Sequence, residues 1–253
     1  MSAVSCQGCK DAAPFPIAFT MAFHPIVDVV QGEIWGYEAL VRGVDGQGAG
    51  AVLAAVTEAN RYVFDQACRV KAIELAGAHL PASSTARLSI NFMPNAVYEP
   101  KACIRATLAA AARTQFNPQR LMFEFTENER MADVAHVANI VAEYKRMGFL
   151  TALDDFGAGY AGLGLLAKFQ PDLIKIDMEL LRGIDTSAAR RHIIGAIVTM
   201  AREMGVVVLA EGVETEAELT ALRQADISLF QGYYFARPRV ETFDKFEGLS
   251  QAA

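Results

Sequence analysis

The feature that most constrains this chain is the regular alternation of short apolar runs with longer helical segments. Residues 87–92, 120–125, 150–154, 173–176, 206–210 and 228–230 read as strands, and residues 101–114, 133–147, 162–169, 188–204 and 216–225 read as helices between them. A strand followed by a crossover helix returns the chain to pair in parallel, and about eight such strands close into a (β/α) barrel. Ahead of this series, residues 18–29 and 33–41 read as two strands joined at Gln31-Gly32, a hairpin rather than a strand–helix unit. Residues 49–79 follow as two helices interrupted near Asn60, and a last helical segment is expected after Val240. The 253 residues suit one α/β barrel, so the chain is divided into an N-terminal tail, 1–17, and a barrel domain, 18–253.

Hydrophobic residues make up 53% of the chain, but no apolar run approaches the ~20 residues that span a bilayer. The N-terminus has no basic segment followed by an apolar one, so no secretory signal is read and a cytoplasmic location is expected. The cysteines, Cys6, Cys9, Cys68 and Cys103, are too few and scattered for a disulfide framework. Cys6 and Cys9 form a Cys-x-x-Cys pair without a second pair of soft ligands, and are read as part of a functionally quiet tail. The formal charge is −6 with no long Lys/Arg run, which argues against DNA or RNA polymers as partners. An anionic substrate would therefore need bound cations to attract it.

The polar residues fall at the strand ends. Glu38 lies late in the second strand, Asn91 in the third and Glu124 in the fourth. Asp154 and Asp155 end the fifth, Lys175 sits late in the sixth, Glu211 follows the seventh and Gln231 the eighth. In a closed barrel these ends share the face where barrel enzymes keep their chemistry. A single strand-end carboxylate is most simply a helix cap or a solvated loop residue. Five on one mouth are different: unit charges at ~4 Å in a poorly screened site repel by several kcal/mol, and two divalent cations would offset that. A ligand set of carboxylates and one amide, without His or Cys, suits Mg²⁺ or Mn²⁺. Asp154, central in the series, is the natural bridge between two ions, and paired ions are a recurring device for phosphodiester cleavage. Lys175 and Arg42 are candidates to hold phosphate oxygens.

These motifs, in this order, resemble the EAL phosphodiesterases. The resemblance runs from about residue 20 to 240 through Tyr37-Glu38-Ala39-Leu40-Val41-Arg42, Asn91, Glu124-Phe125-Thr126-Glu127 and Asp154-Asp155-Phe156-Gly157-Ala158-Gly159-Tyr160. It continues through Lys175-Ile176-Asp177, Glu211-Gly212-Val213-Glu214 and Gln231-Gly232-Tyr233. It implies a modified TIM (β/α)8 barrel with an antiparallel first strand. It also implies hydrolysis of cyclic di-GMP to linear pGpG with two Mg²⁺ or Mn²⁺ ions, commonly in a homodimer. By resemblance, Glu38, Asn91, Glu124 and Asp154 would hold one ion, and Asp154, Asp155 and Glu211 the other. Lys175 would position the attacking water or a phosphate oxygen, acting with Glu38 and Glu211 at the reacting centre. Arg42, Asp155 and Gln231 would face the substrate, with Gln231 in or just behind the ligand set. Glu127 and Glu214 would support loops, Glu127 the one after the fifth strand. Two departures stand out: His24 replaces a usual glutamine and is read as a packed or surface histidine, and the glycine-rich loop 157–162 carries few hydroxyls. Neither removes a ligand. The alternative to an enzyme is a non-catalytic cyclic di-GMP receptor signalling through a protein partner, and retention of every ligand position favours the enzyme.

Overall fold

The computed structural model describes residues 14–97, 99–126, 134–159 and 162–245. Strand β1 (Phe19–Asp28) turns at Asp28, whose Oδ1 accepts from the backbone N–H groups of Val30 and Gln31 at 2.9 and 3.0 Å. Gly32, at φ +68°, completes the turn into β2 (Glu33–Gly43), which runs antiparallel to β1 from Phe19↔Gly43 to Asp28↔Glu33. Then come α1 (Ala49–Leu53), α2 (Arg61–His79), β3 (Arg87–Asn91), α3 (Pro100–Cys103), α4 (Arg105–Thr114) and β4 (Leu121–Thr126). The series continues with α5 (Val134–Arg146), β5 (Leu150–Phe156), α6 (Gly162–Leu166), β6 (Leu173–Ile176), α7 (Met178–Leu181) and α8 (Ala188–Glu203). It ends with β7 (Val207–Ala210), α9 (Glu216–Arg223), β8 (Leu229–Phe230) and β9 (Arg239–Val240).

Strands β2 to β8 pair in parallel in chain order, and β1 closes the ring antiparallel to both β8 and β2. This is the expected modified barrel. A short turn suffices for an antiparallel pair, so no crossover helix follows β1. Its outer side is instead covered by the chain's end. There β9 pairs with β1 (Ala22↔Val240, Phe23↔Arg239), and Phe243 stacks on Phe23 at 4.0 Å and meets Tyr37 edge-on at 5.0 Å. The Tyr37 hydroxyl donates to the Asp244 carbonyl at 2.7 Å. Residues 241–245 therefore form a turn and an irregular strap without helix, and the rest of the helical segment expected after Val240 lies outside the described residues. The other corrections are local. The helix expected over 101–114 begins at Pro100, whose ring suits a first helical turn, and breaks at Ile104. α7 and β9 are additions to the expected set, while the break near Asn60 falls where expected.

Side-chain alternation divides the barrel into two cores. Outward residues of the strands, such as Phe123, Phe125 and Ile174, pack under the helices in one large apolar layer. Inward residues Ile26, Met122, Ala152, Leu173, Leu209 and Leu229 form a small plug in the barrel's lower half. Burying each large member contributes about 1.5–3 kcal/mol. One alternation further along the same strands come Glu124, Asp154, Lys175, Glu211 and Gln231. The barrel is thus apolar at its base and charged at its mouth.

Candidate metal centre

Glu38 on β2, Glu124 on β4, Asp154 on β5, Lys175 on β6, Glu211 after β7 and Gln231 after β8 converge on one point. The Lys175 ammonium is its centre: Nζ lies 2.7 Å from Glu124 Oε2, 2.7 Å from Glu211 Oε1, 3.1 Å from Asp154 Oδ1 and 3.5 Å from Glu38 Oε2. Neutral partners fix the carboxylates. Asn91 Nδ2 donates to Glu38 Oε1 at 2.9 Å, Gln231 Nε2 donates to Glu38 Oε2 at 3.1 Å, and the Ser89 hydroxyl donates to Glu124 Oε1. Lys175 and Glu124 are fully buried, so ionising either carries a high desolvation cost that only the neighbouring charges can offset.

Asp154 and Asp155 are neighbours, and regular alternation would send them to opposite faces. The β5–β6 register shifts between Leu153 and Phe156, an inserted residue that lets both carboxylates reach the mouth. Asp155 takes the strain at φ +55°, and its N–H is held by Asp154 Oδ1 at 3.0 Å. Aspartate is one of the few side chains that tolerate this region. Phe156 then resumes the outward phase and is buried in the outer core.

The carboxylates form two groups, Glu38–Glu124–Asp154 and Asp154–Asp155–Glu211, each with ligand oxygens within 4.8 Å of one another. Asp154 belongs to both. Five carboxylates face one buried lysine, and burial together with mutual repulsion raises three of them. Burial, only partly offset by Lys175, pushes Glu124 up to about 8. Burial and repulsion from Asp154 hold Glu211 well above the carboxylate range, and the same two causes raise Asp155. Glu38 is the exception: burial opposes its ionisation, but Lys175 and the amides of Asn91 and Gln231 more than compensate, and its carboxyl is held below the usual range. An all-oxygen set with surplus charge, grouped in two trios about a shared aspartate, fits two hard divalent cations.

The mouth opens into two connected spaces. One, of about 360 Å³, is bounded by His24, Asp177, Glu214 and Tyr233 around the carboxylates. The other, of about 680 Å³, is mostly apolar and runs from Leu40, Asn91 and Met93 toward Phe64 and Cys68. Arg42 shares the inward phase of Glu38 on β2, and its Nη1 folds back onto the Val41 carbonyl at 2.7 Å, so the guanidinium is not part of the carboxylate cluster. His24 is packed rather than at the surface, with Nε2 donating to the Ala236 carbonyl at 3.1 Å. Glu214 pairs with Arg182 at 3.1 Å. Glu127, Cys6 and Cys9 lie outside the described residues.

The profile of the EAL domain family matches residues 17–238. The chain belongs to the EAL domain family. Among solved structures, this EAL domain is similar to a standalone versatile EAL protein from Vibrio cholerae O395 in its c-di-GMP bound form. The two are 51% identical with a TM-score of 0.86, over 90% of this chain and 95% of that one. The manganese/cy-diGMP complex of Klebsiella pneumoniae BlrP1 is 32% identical with a TM-score of 0.84, over 91% of this chain and 58% of that one. Among curated relatives, the blue light- and temperature-regulated antirepressor BluF of Escherichia coli is 32% identical over 87% of this chain. Cyclic di-GMP phosphodiesterase NbdA of Pseudomonas aeruginosa is 29% identical over 85% of this chain. The chain spans 54% of the length of the former and 28% of the latter.

Sequence reasoning missed several residues that build this EAL site. Ser89 is a strand serine in phase with Asn91, so its inward position was readable from alternation. The buried pair Asp65–Arg69 was not. Asp65 Oδ1 accepts from the Met93 N–H at 2.9 Å and pins the loop after Asn91, while Arg69 Nη1 reaches the Tyr144 hydroxyl at 3.4 Å. An i,i+4 acid–base pair looks like an ordinary solvated helix face until the helix is docked.

Proposed function

We propose that this EAL domain is a divalent-metal-dependent phosphodiesterase that hydrolyses cyclic di-GMP to linear pGpG. The observation that carries the reading is the pair of carboxylate trios sharing Asp154 around a buried lysine. Glu38, Asn91, Glu124 and Asp154 would hold one ion, and Asp154, Asp155 and Glu211 the other, as Mg²⁺ or Mn²⁺. When bound, such a pair supplies Lewis acidity to the phosphate and to the attacking water, and stabilises the leaving oxygen.

The chain's own residues do the rest. Lys175 orients Glu124, Glu211 and Asp154 and keeps a fixed positive charge beside the phosphate position. Lys175, helped by the amides of Asn91 and Gln231, holds Glu38 ionised, ready as a ligand without first losing a proton. Arg42, freed from Val41, is in phase to reach a phosphate oxygen, and a guanidinium matches that geometry. The connected cleft gives the two guanosine halves room on either side of the ions. The active form in this reading is a homodimer. Exposed Leu163 and Ile193 beside the apolar cavity under α6 and α8 support it. Among the described residues no helix is long and apolar enough to cross a membrane.

The similarity to a protein named an antirepressor favours a second reading, a cyclic di-GMP receptor without catalysis. One experiment separates the two. The protein is incubated with cyclic di-GMP and Mg²⁺ or Mn²⁺ and the products are separated by chromatography, beside Glu38→Ala and a chelator control. Metal-dependent pGpG that vanishes in both controls supports the enzyme; cyclic di-GMP that binds and stays intact with either metal establishes the receptor.

A further inference from the structure

The ligands of the two proposed ions are held differently. Glu38 and Glu124 lie within strands, braced by ladder hydrogen bonds and by Asn91, Gln231 and Ser89. Glu211 lies just past the end of β7, where its N–H still bonds the Ile176 carbonyl at 3.2 Å, and it opens a loop whose next residue, Gly212, has φ +64°. A Cβ on Gly212 would stand 2.6 Å from Met178 Cβ, so the loop is pressed onto α7. The residue after α7, Arg182, then grips the loop. Its Nη2 donates to the Gly212 carbonyl at 3.1 Å and pairs with Glu214 Oε1 at 3.1 Å. Its Nη1 donates to both carboxylate oxygens of Glu218 at 3.1 Å. Glu218 is only 4% exposed and also accepts from the Glu214 N–H at 3.0 Å and the Gly183 N–H at 3.4 Å. The clamp therefore fixes the Gly212 carbonyl and the Glu214 N–H and carboxylate, one to three residues past Glu211.

We propose that Arg182 and Glu218 are positioning residues that aim Glu211 at the ion it would share with Asp154 and Asp155, so that their loss weakens one ion of the pair selectively. The inference rests on the two-ion reading above. The planar fork of arginine is what spans the Gly212 carbonyl and Glu218 together; a lysine keeps the charge but presents a single point. Outer partners that orient a ligand typically account for about 10- to 100-fold in metal affinity.

The test is Mn²⁺ titration of the full chain by calorimetry and electron paramagnetic resonance for wild type, Arg182→Met, Arg182→Lys, Glu218→Gln and Glu211→Ala. Amide exchange over residues 211–214 is followed in the metal-free proteins. Arg182→Met and Glu218→Gln should keep one ion within about twofold of wild type and weaken the other about 10- to 100-fold. The weakened ion should be the one removed by Glu211→Ala, exchange at 211–214 should quicken, and Arg182→Lys should recover only part of the loss. Two ions bound as in wild type, or both weakened in parallel with a fall in melting temperature, would overturn the clamp and leave a merely structural role. A wild type that takes up fewer than two Mn²⁺ ions would instead remove the two-ion reading, and this inference with it.

Discussion

Replacing Lys175 with methionine keeps most of the side chain's length and removes its charge, leaving five carboxylates at one mouth with no buried cation. Its ammonium lies 2.7 Å from both Glu124 and Glu211 and is 1% exposed. Removing one partner of such a buried set costs about 3–5 kcal/mol, or roughly 6–20 °C in melting temperature for a domain of this size. The cost should depend on pH. Lys175 itself is held well above its ordinary range by the surrounding carboxylates against the effect of burial, so it stays charged from pH 5 to 9. Glu124 sits at about 8 in the folded protein, raised by burial. Between its unfolded value and about 8 the folded state therefore holds a proton that the unfolded state lacks, and stability falls as pH rises through that window. Without Lys175 that fall should steepen, because the repulsion it screened is now felt in full. The assay is denaturant unfolding of wild type and Lys175→Met from pH 5 to 9, with chelator and with excess Mg²⁺. The variant should lose most at high pH in chelator, and Mg²⁺ should recover much of the loss. A loss that is equal at every pH and indifferent to Mg²⁺ would refute the electrostatic argument and make Lys175 a packing residue.

Metal affinity should rise with pH across the same range, because Glu124 and Glu211 are raised mainly by burial and must release protons to act as ligands; calorimetry in buffers of different ionisation enthalpy should read net proton release, with the Glu124 share shrinking above about pH 8. Arg69→Met breaks the fully buried Asp65–Arg69 pair and should cost about 3–5 kcal/mol in denaturant unfolding. Phe243→Ala uncovers Phe23 and Tyr37 on the helix-free side of β1 and should cost about 2–4 kcal/mol, less than a wholly buried phenylalanine because the ring is half-buried. Its Mn²⁺ stoichiometry should be unchanged, since the strap touches none of the ligands; a lost ion would show that the strap reaches the mouth.

Local pattern carried much of this protein. The period of two along each strand placed Met122 below Glu124, Leu173 below Lys175 and Leu229 below Gln231, so a charged layer over an apolar plug could be read before any contact was known. The antiparallel opening was equally legible, because a turn too short for a helix between two apolar runs leaves only a hairpin. What needed the closed barrel is whatever depends on partners distant in sequence or on broken alternation. Alternation alone would have split Asp154 from Asp155; the register shift against β6 and a left-handed Asp155 bring them together. Strand β9 has two exposed residues and no pattern of its own, and exists because Phe243 docks on a strand that has no helix. Asp65, Arg69, Arg182 and Glu218 read in sequence as ordinary helix-surface charges. Burial of Asp65, Arg69 and Glu218 makes their ion pairs structural, with Arg182 half-exposed over Glu218, because a desolvated charge needs the partners the fold supplies, and that cost arises only once helices and barrel have closed over them.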